Sequence, residues 1–144
     1  MLQVKNLTKI YDGGVKALDN VSFEVPKGQF LAVIGLSGSG KSTLLHCINR
    51  LIDPTEGQIL WDGEDITAAS PEEMRNIRRK IGMVFQHFNL VHRSKVITNV
   101  LAGRLGYVNP AWSFLNRFPK EDIEKAIKQL ERVGIADKAD QRAD

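Results

Sequence analysis

The stretch GLSGSGKST, residues 35–43, constrains this chain more than any other. Gly35, Gly40, Lys41 and Ser42 meet the pattern G-x-x-x-x-G-K-[ST]. Before it stands an apolar run, FLAVIG (30–35), and after it an amphipathic run beginning near Lys41, with Leu44, Leu45, Ile48 and Leu51 on one helical face. Each residue type has a physical reason. Glycines permit positive φ and let backbone N–H groups approach an anion closely. A helix opening there adds unpaired N–H groups and the positive end of its dipole. The backbone of Leu36, Ser37, Gly38, Ser39 and Gly40 is thus expected to cradle phosphates. Lys41 would reach the β- and γ-phosphates, the Ser42 hydroxyl would ligate Mg²⁺, and Thr43 would contact the α-phosphate.

Composition sets the frame around that loop. At 144 residues, 42% hydrophobic and 26% charged, the chain is one ordinary globular domain, neither disordered nor fibrous. No stretch approaches the roughly 20 apolar residues of a membrane span. The N-terminal MLQVKNLTKIYDGG lacks the apolar centre of a secretory signal. Cys47 is the single cysteine, which rules out an internal disulfide and fits a cytosolic location. A net charge of +3 is too small to argue for nucleic acid. The basic run RNIRRK reads either as a solvated helix face or as a contact for anionic lipid heads or a partner near a membrane.

Two early runs, around Leu2, Val4 and Leu7 and around Val21, Phe23 and Val25, predict a small antiparallel sheet with one wet face. FLAVIG lacks alternation, the habit of a parallel strand buried on both faces, and IGMVFQ (81–86) reads as a second such strand. GQILWDGED predicts a strand running into a turn at Asp62-Gly63. Ser70, Pro71 and Glu73 form a helix start with a capping box. ITNVLAGRLGY is a short helix candidate. PKEDIEKAIKQLERVG is the strongest helix, with Ile123, Ala126, Ile127, Leu130 and Val133 on one face and Gly134 as its stop.

Tyr11, the loop at 35–43 and VFQ, with Gln86 closing a buried strand, together resemble the ATP-binding cassette (ABC) ATPases. The resemblance implies an α/β P-loop NTPase of ABC type: an antiparallel β subdomain with a parallel-sheet core over 1–86, then the start of a helical subdomain over 87–144. It implies that Tyr11 stacks on adenine, the lesser alternative being that it simply caps the small sheet. Gln86 would contact Mg²⁺ and the attacking water, which makes Lys41 and Gln86 the catalytic candidates. LSGSG (36–40) imitates the signature motif of the family, but those residues already serve the phosphate loop. ILWD (59–62) imitates its Walker B strand, but Asp62-Gly63 is a turn.

ALDNVSFEVPKGQF, NVLAGRLGY and RFPKEDI are similar to the ATP-binding subunits of phosphonate importers. That implies a motor using ATP and Mg²⁺ to drive uptake of phosphonate or a phosphite-like oxyanion. Its partners would be a membrane-spanning permease, a second copy of itself and, indirectly, a periplasmic or surface binding protein, with no nucleic acid. It would sit on the cytoplasmic face of the inner membrane. In the family QRAD leads into the signature LSGGQ, Walker B, a catalytic glutamate and a switch histidine, whereas this sequence stops at Asp144. Half of the apparatus for phosphoryl transfer is therefore present, and the expectation is ATP binding without turnover by this chain alone. A soluble ABC-type ATPase acting on nucleic acid or ribosomes, and a non-catalytic nucleotide-binding module, remain the alternatives. The aromatics Tyr107, Trp112, Phe114 and Phe118 read either as internal packing or as a groove for a helix of the membrane subunit.

Overall fold

The computed structural model describes residues 1–86, 89–108 and 118–143, divided into two compact units, Met1–Ile81 and Gly82–Asp144. In the first unit the chain runs β1 (Leu2–Ile10), β2 (Lys16–Val25), α1 (Lys41–Ile48), β3 (Glu56–Trp61), β4 (Glu64–Asp65) and α2 (Pro71–Arg78). The four strands form one sheet in the order β2-β1-β3-β4, and every pairing is antiparallel.

Strict alternation cannot place both Val4 and Leu7 in the core, because they are three residues apart. A bulge solves this. Asn6 takes φ 50° and the β1–β2 register shifts between Val4 and Leu7, which turns both side chains inward at 1% and 0% exposure. On the facing strand Asn20 takes φ 51°, and Asn6 Nδ2 donates to Asn20 Oδ1 at 2.8 Å. Gly57 of β3 completes the arrangement: a Cβ there would lie 2.5 Å from the Asn6 carbonyl oxygen, so only glycine lets the bulge come this near. The β3–β4 hairpin closes through Asp62 (φ 50°) and Gly63 (φ 89°), the left-handed pair that a two-residue hairpin turn requires.

Leu44 and Cys47 of α1 and Met74 and Ile77 of α2 join Val4, Leu7, Leu18, Ile59 and Ile66 in one core cluster. The predicted α1 face is rotated: Cys47 is fully buried, whereas Leu45 and Leu51 are half exposed. The α2 start is as predicted. Glu73 N–H donates to Ser70 Oγ, and the Glu73 carboxylate accepts from Ser70 N–H at 2.7 Å. One residue of the basic run is tied to the fold while staying exposed: Arg78 donates to the carbonyls of Asn49 and Arg50 at the end of α1. Arg50 in turn donates to the carbonyls of Ile66 and Ala69.

Neither expected parallel strand forms. Residues 30–35 and 81–86 lie outside regular structure, and Phe30, Ile34 and Val84 are 90%, 91% and 99% exposed. A strand exists only as half of a hydrogen-bonded ladder. Among the described residues no ladder neighbour adjoins either segment, so apolar character alone cannot bury it.

The second unit holds α3 (Val96–Ala102), α4 (Lys120–Arg132) and a 3₁₀ turn at Ala136–Lys138. The predicted face of α4 is displaced as well. Asp122, Ala126 and Leu130 are buried, while Ile127 is 37% and Val133 68% exposed. The cause is Arg104, whose Nε donates to Asp122 Oδ1 at 2.9 Å and draws that carboxylate inward. Gly134, at φ 73°, ends the helix, with Ile135 N–H donating to the Leu130 carbonyl at 3.0 Å. Of the aromatic group, Tyr107 is half exposed beneath Arg104, and Trp112 and Phe114 lie outside the described residues.

Candidate functional site

The glycine loop is seated on the sheet through Gly40. Its φ is 85°, and a Cβ at this position would fall 2.3 Å from the Ala17 carbonyl oxygen and 3.2 Å from Leu18 Cδ2. Gly40 therefore does two things that no other residue can: it takes the left-handed turn into α1 and lets the loop backbone touch β2. Gly38, at φ 81°, makes the preceding turn, and Ser39 N–H donates to the Leu36 carbonyl at 3.2 Å.

The two helices of this unit are treated oppositely at their N-termini. The first turn of α2 carries Glu72 and Glu73 and is closed by its capping box. That of α1 has no acidic residue and no side-chain cap, its N-cap being Gly40. The first-turn N–H groups of α1 have no partner within the helix. They face outward with the positive end of the helix dipole, which is an anion-binding arrangement.

Lys41 bends back over the loop. Its Nζ donates to the Gly35 carbonyl at 2.9 Å, to the Leu36 carbonyl at 2.6 Å and to Ser39 Oγ at 3.3 Å. All three ammonium protons are thus directed at loop oxygens, which holds the positive charge at the centre of the loop.

Tyr11 comes to this loop from the β1–β2 connection. Its N–H donates to the Val15 carbonyl at 2.9 Å, and its Oη shares a hydrogen bond with Thr43 Oγ1 at 3.2 Å. The ring, 37% exposed, lines a concavity of about 520 Å³ with Val15, Lys16, Ala17 and residues 38–43. The structure accordingly gathers Tyr11, Gly38, Ser39, Gly40, Lys41, Ser42 and Thr43 around one space. Gly35 and Leu36 are tied to it through the Lys41 bonds, and Ser37 lies between Leu36 and Gly38 in the same loop. Gln86 belongs to the second compact unit, where it is exposed.

Sequence reasoning missed Lys9, Val15, Lys16 and Ala17. Lys9 had a legible signal only in its nearness: it stands two residues before Tyr11, near the end of β1. Its Nζ lies over the Tyr11 ring, 5.4 Å from the centroid. Cys47 is fully buried in α1, and burial pushes its thiol pKa up, so it stays protonated and serves packing.

A family profile described as ABC transporter matches residues 18–144. The phosphonates import ATP-binding protein PhnC of Bacillus thuringiensis subsp. konkukian is 51% identical over 144 residues, which is all of this chain and 56% of that protein. PhnC of Lactobacillus johnsonii is 54% identical over 145 residues, covering 57% of its length. The chain thus spans little more than half of the curated relatives it matches. Among solved structures, the dimeric ATP-binding cassette MJ0796 in a post-hydrolysis state with ADP and Pi superposes with TM-score 0.83 at 33% identity, covering 99% of this chain and 62% of that one. A nucleotide-free cassette gives 0.78 at the same 33% identity, with 99% and 57% covered. With the profile match spanning nearly the whole sequence, the chain belongs to the ABC transporter family.

Proposed function

We propose that this chain binds the triphosphate and base of ATP as the N-terminal part of the ATP-binding subunit of an importer for phosphonate or a phosphite-like oxyanion. The observation that carries the nucleotide reading is the convergence of Tyr11, Lys41 and the uncapped start of α1 on one concavity. The phosphonate reading is supported by relatives at about half identity that carry that name. Loop amides from Leu36 to Gly40 would hold the phosphates, with Lys41 exchanging its carbonyl partners for phosphate oxygens. Thr43 would bond the α-phosphate and Tyr11 would stack the base. Ser42 would give one hydroxyl to Mg²⁺, which takes most of its remaining ligands from phosphate and water. The bound metal supplies charge neutralisation across the phosphates.

As a motor, the protein would pair with a second copy and with a permease, peripheral to the membrane on its cytoplasmic face. No described helix is long and apolar enough to cross a membrane. Residues 1–144 alone would bind ATP without turning it over. Isothermal titration of MgATP into wild type and Lys41→Ala tests the binding claim: uptake by the first and a loss of at least about tenfold in the second are expected, since a charge-assisted contact is removed. Equal affinity in both would sink the reading. Steady ATP hydrolysis by the purified 144-residue chain would overturn the claim about turnover.

A further inference from the structure

We propose that Lys9 is a positioning residue for the nucleobase: its ammonium, pinned to the Asp53 carbonyl, backs one face of the Tyr11 ring and leaves the other face to stack the base. This rests on the nucleotide reading above. The hydrogen bond from Tyr11 Oη to Thr43 Oγ1 fixes the tip of the ring at 3.2 Å. That bond lies on the long axis of the side chain, so it leaves the ring free to turn about that axis. A stacking platform needs a fixed plane, and a cation over the face supplies one. Lys9 Nζ stands 5.4 Å from the ring centroid, within the range of a cation–π contact.

Lys9 is itself held. Its Nζ donates to the Asp53 carbonyl at 2.8 Å, and the Asp53 carboxylate is gripped by Arg50 at 2.8 Å. Segment 53–55 is bolted to β1, with Thr55 N–H donating to the Thr8 carbonyl at 2.8 Å and Ile10 N–H to Thr55 Oγ1 at 2.9 Å. The ammonium over the ring therefore has a fixed address. It also draws electron density from the ring, which eases the approach of an electron-rich purine to the opposite face.

The test is titration of MgATP, and of Mg-tripolyphosphate as a probe without a base, into wild type, Lys9→Met, Lys9→Arg, Tyr11→Ala and the Lys9→Met/Tyr11→Ala double variant. Lys9→Met is expected to weaken MgATP about threefold to tenfold. Tripolyphosphate affinity should stay unchanged and Lys9→Arg should restore MgATP. In the Tyr11→Ala background, Lys9→Met should cost nothing more, because the platform it orients is gone. An equal loss for both probes, no loss for either, or an undiminished effect without Tyr11 would overturn the proposal. Wild type that takes up tripolyphosphate and MgATP equally well would overturn the base-stacking reading itself; uptake of neither would overturn nucleotide binding as a whole.

Discussion

Gly40 and Ala17 are in direct backbone contact: a Cβ built on Gly40 would sit 2.3 Å from the Ala17 carbonyl oxygen. The glycine loop is therefore not a free turn at the head of α1. It is pressed onto β2, next to the hairpin that delivers Tyr11 to the same concavity. Gly40→Ala would combine a backbone clash with a left-handed φ. A strained residue of this kind costs on the order of 1–3 kcal/mol. Thermal melting should fall, and MgATP titration should show a loss larger than stability alone explains, because the loop must lift from β2. An unchanged affinity would mean that the seat on β2 is irrelevant to the loop.

The capping box of α2 makes a pH prediction. The hydrogen bond from Ser70 N–H holds the Glu73 carboxyl below the usual glutamate range. A carboxylate whose folded pKa is depressed adds stability that is present above its unfolded pKa and lost as pH falls through the folded one. Melting temperature measured from about pH 6 down to about pH 3 should drop less steeply in Glu73→Gln than in wild type. Ser70→Ala should cost about 1 kcal/mol at neutral pH by urea denaturation.

In the second unit, Asp122 is 5% exposed and its carboxylate is met by Arg104 Nε at 2.9 Å. Arg104→Ala would remove the near partner of a buried carboxylate and leave it only Lys125 Nζ at 4.0 Å, whereas Asp122→Asn keeps a polar group that the arginine can still bond. Because Arg104 is about a third exposed, the expected loss for Arg104→Ala is about 1–3 kcal/mol, below that of a fully buried pair. Asp122→Asn should lose less. Chemical denaturation of both variants decides it, and the reverse order would refute the account.

The apolar segments that failed to form strands predict self-association. Ile34 is 91% and Val84 99% exposed, each on an unpaired stretch of backbone. In protein of these 144 residues, Ile34→Lys with Val84→Lys should lower light scattering on concentration while leaving the melting temperature unchanged. A drop in melting temperature would show that these side chains are buried in solution.

Much of this was legible beforehand because it depends on local chemistry. The Asp62-Gly63 turn, the Ser70 cap, the Gly134 stop and the loop at 35–43 are each written in a few adjacent residues whose φ preferences and hydrogen-bonding groups decide the outcome. What was not legible lies at longer range. The inward turn of Asp122 is met by Arg104, which is remote in sequence, and the joint burial of Val4 and Leu7 needs a bulge that Gly57 accommodates from another strand. Lys9 was passed over because its partners, the Asp53 carbonyl and the Tyr11 ring, meet only once β1 and segment 53–55 lie side by side.

By itself the sequence determined that a glycine turn opens a helix here, since glycine spacing and the lysine after it specify backbone conformation residue by residue. Tertiary structure alone decided what that turn rests on and which apolar runs become strands. Seating needs Ala17 beneath Gly40, and a strand needs a neighbour to complete its hydrogen bonds, so FLAVIG, for all its apolar character, stays outside the sheet.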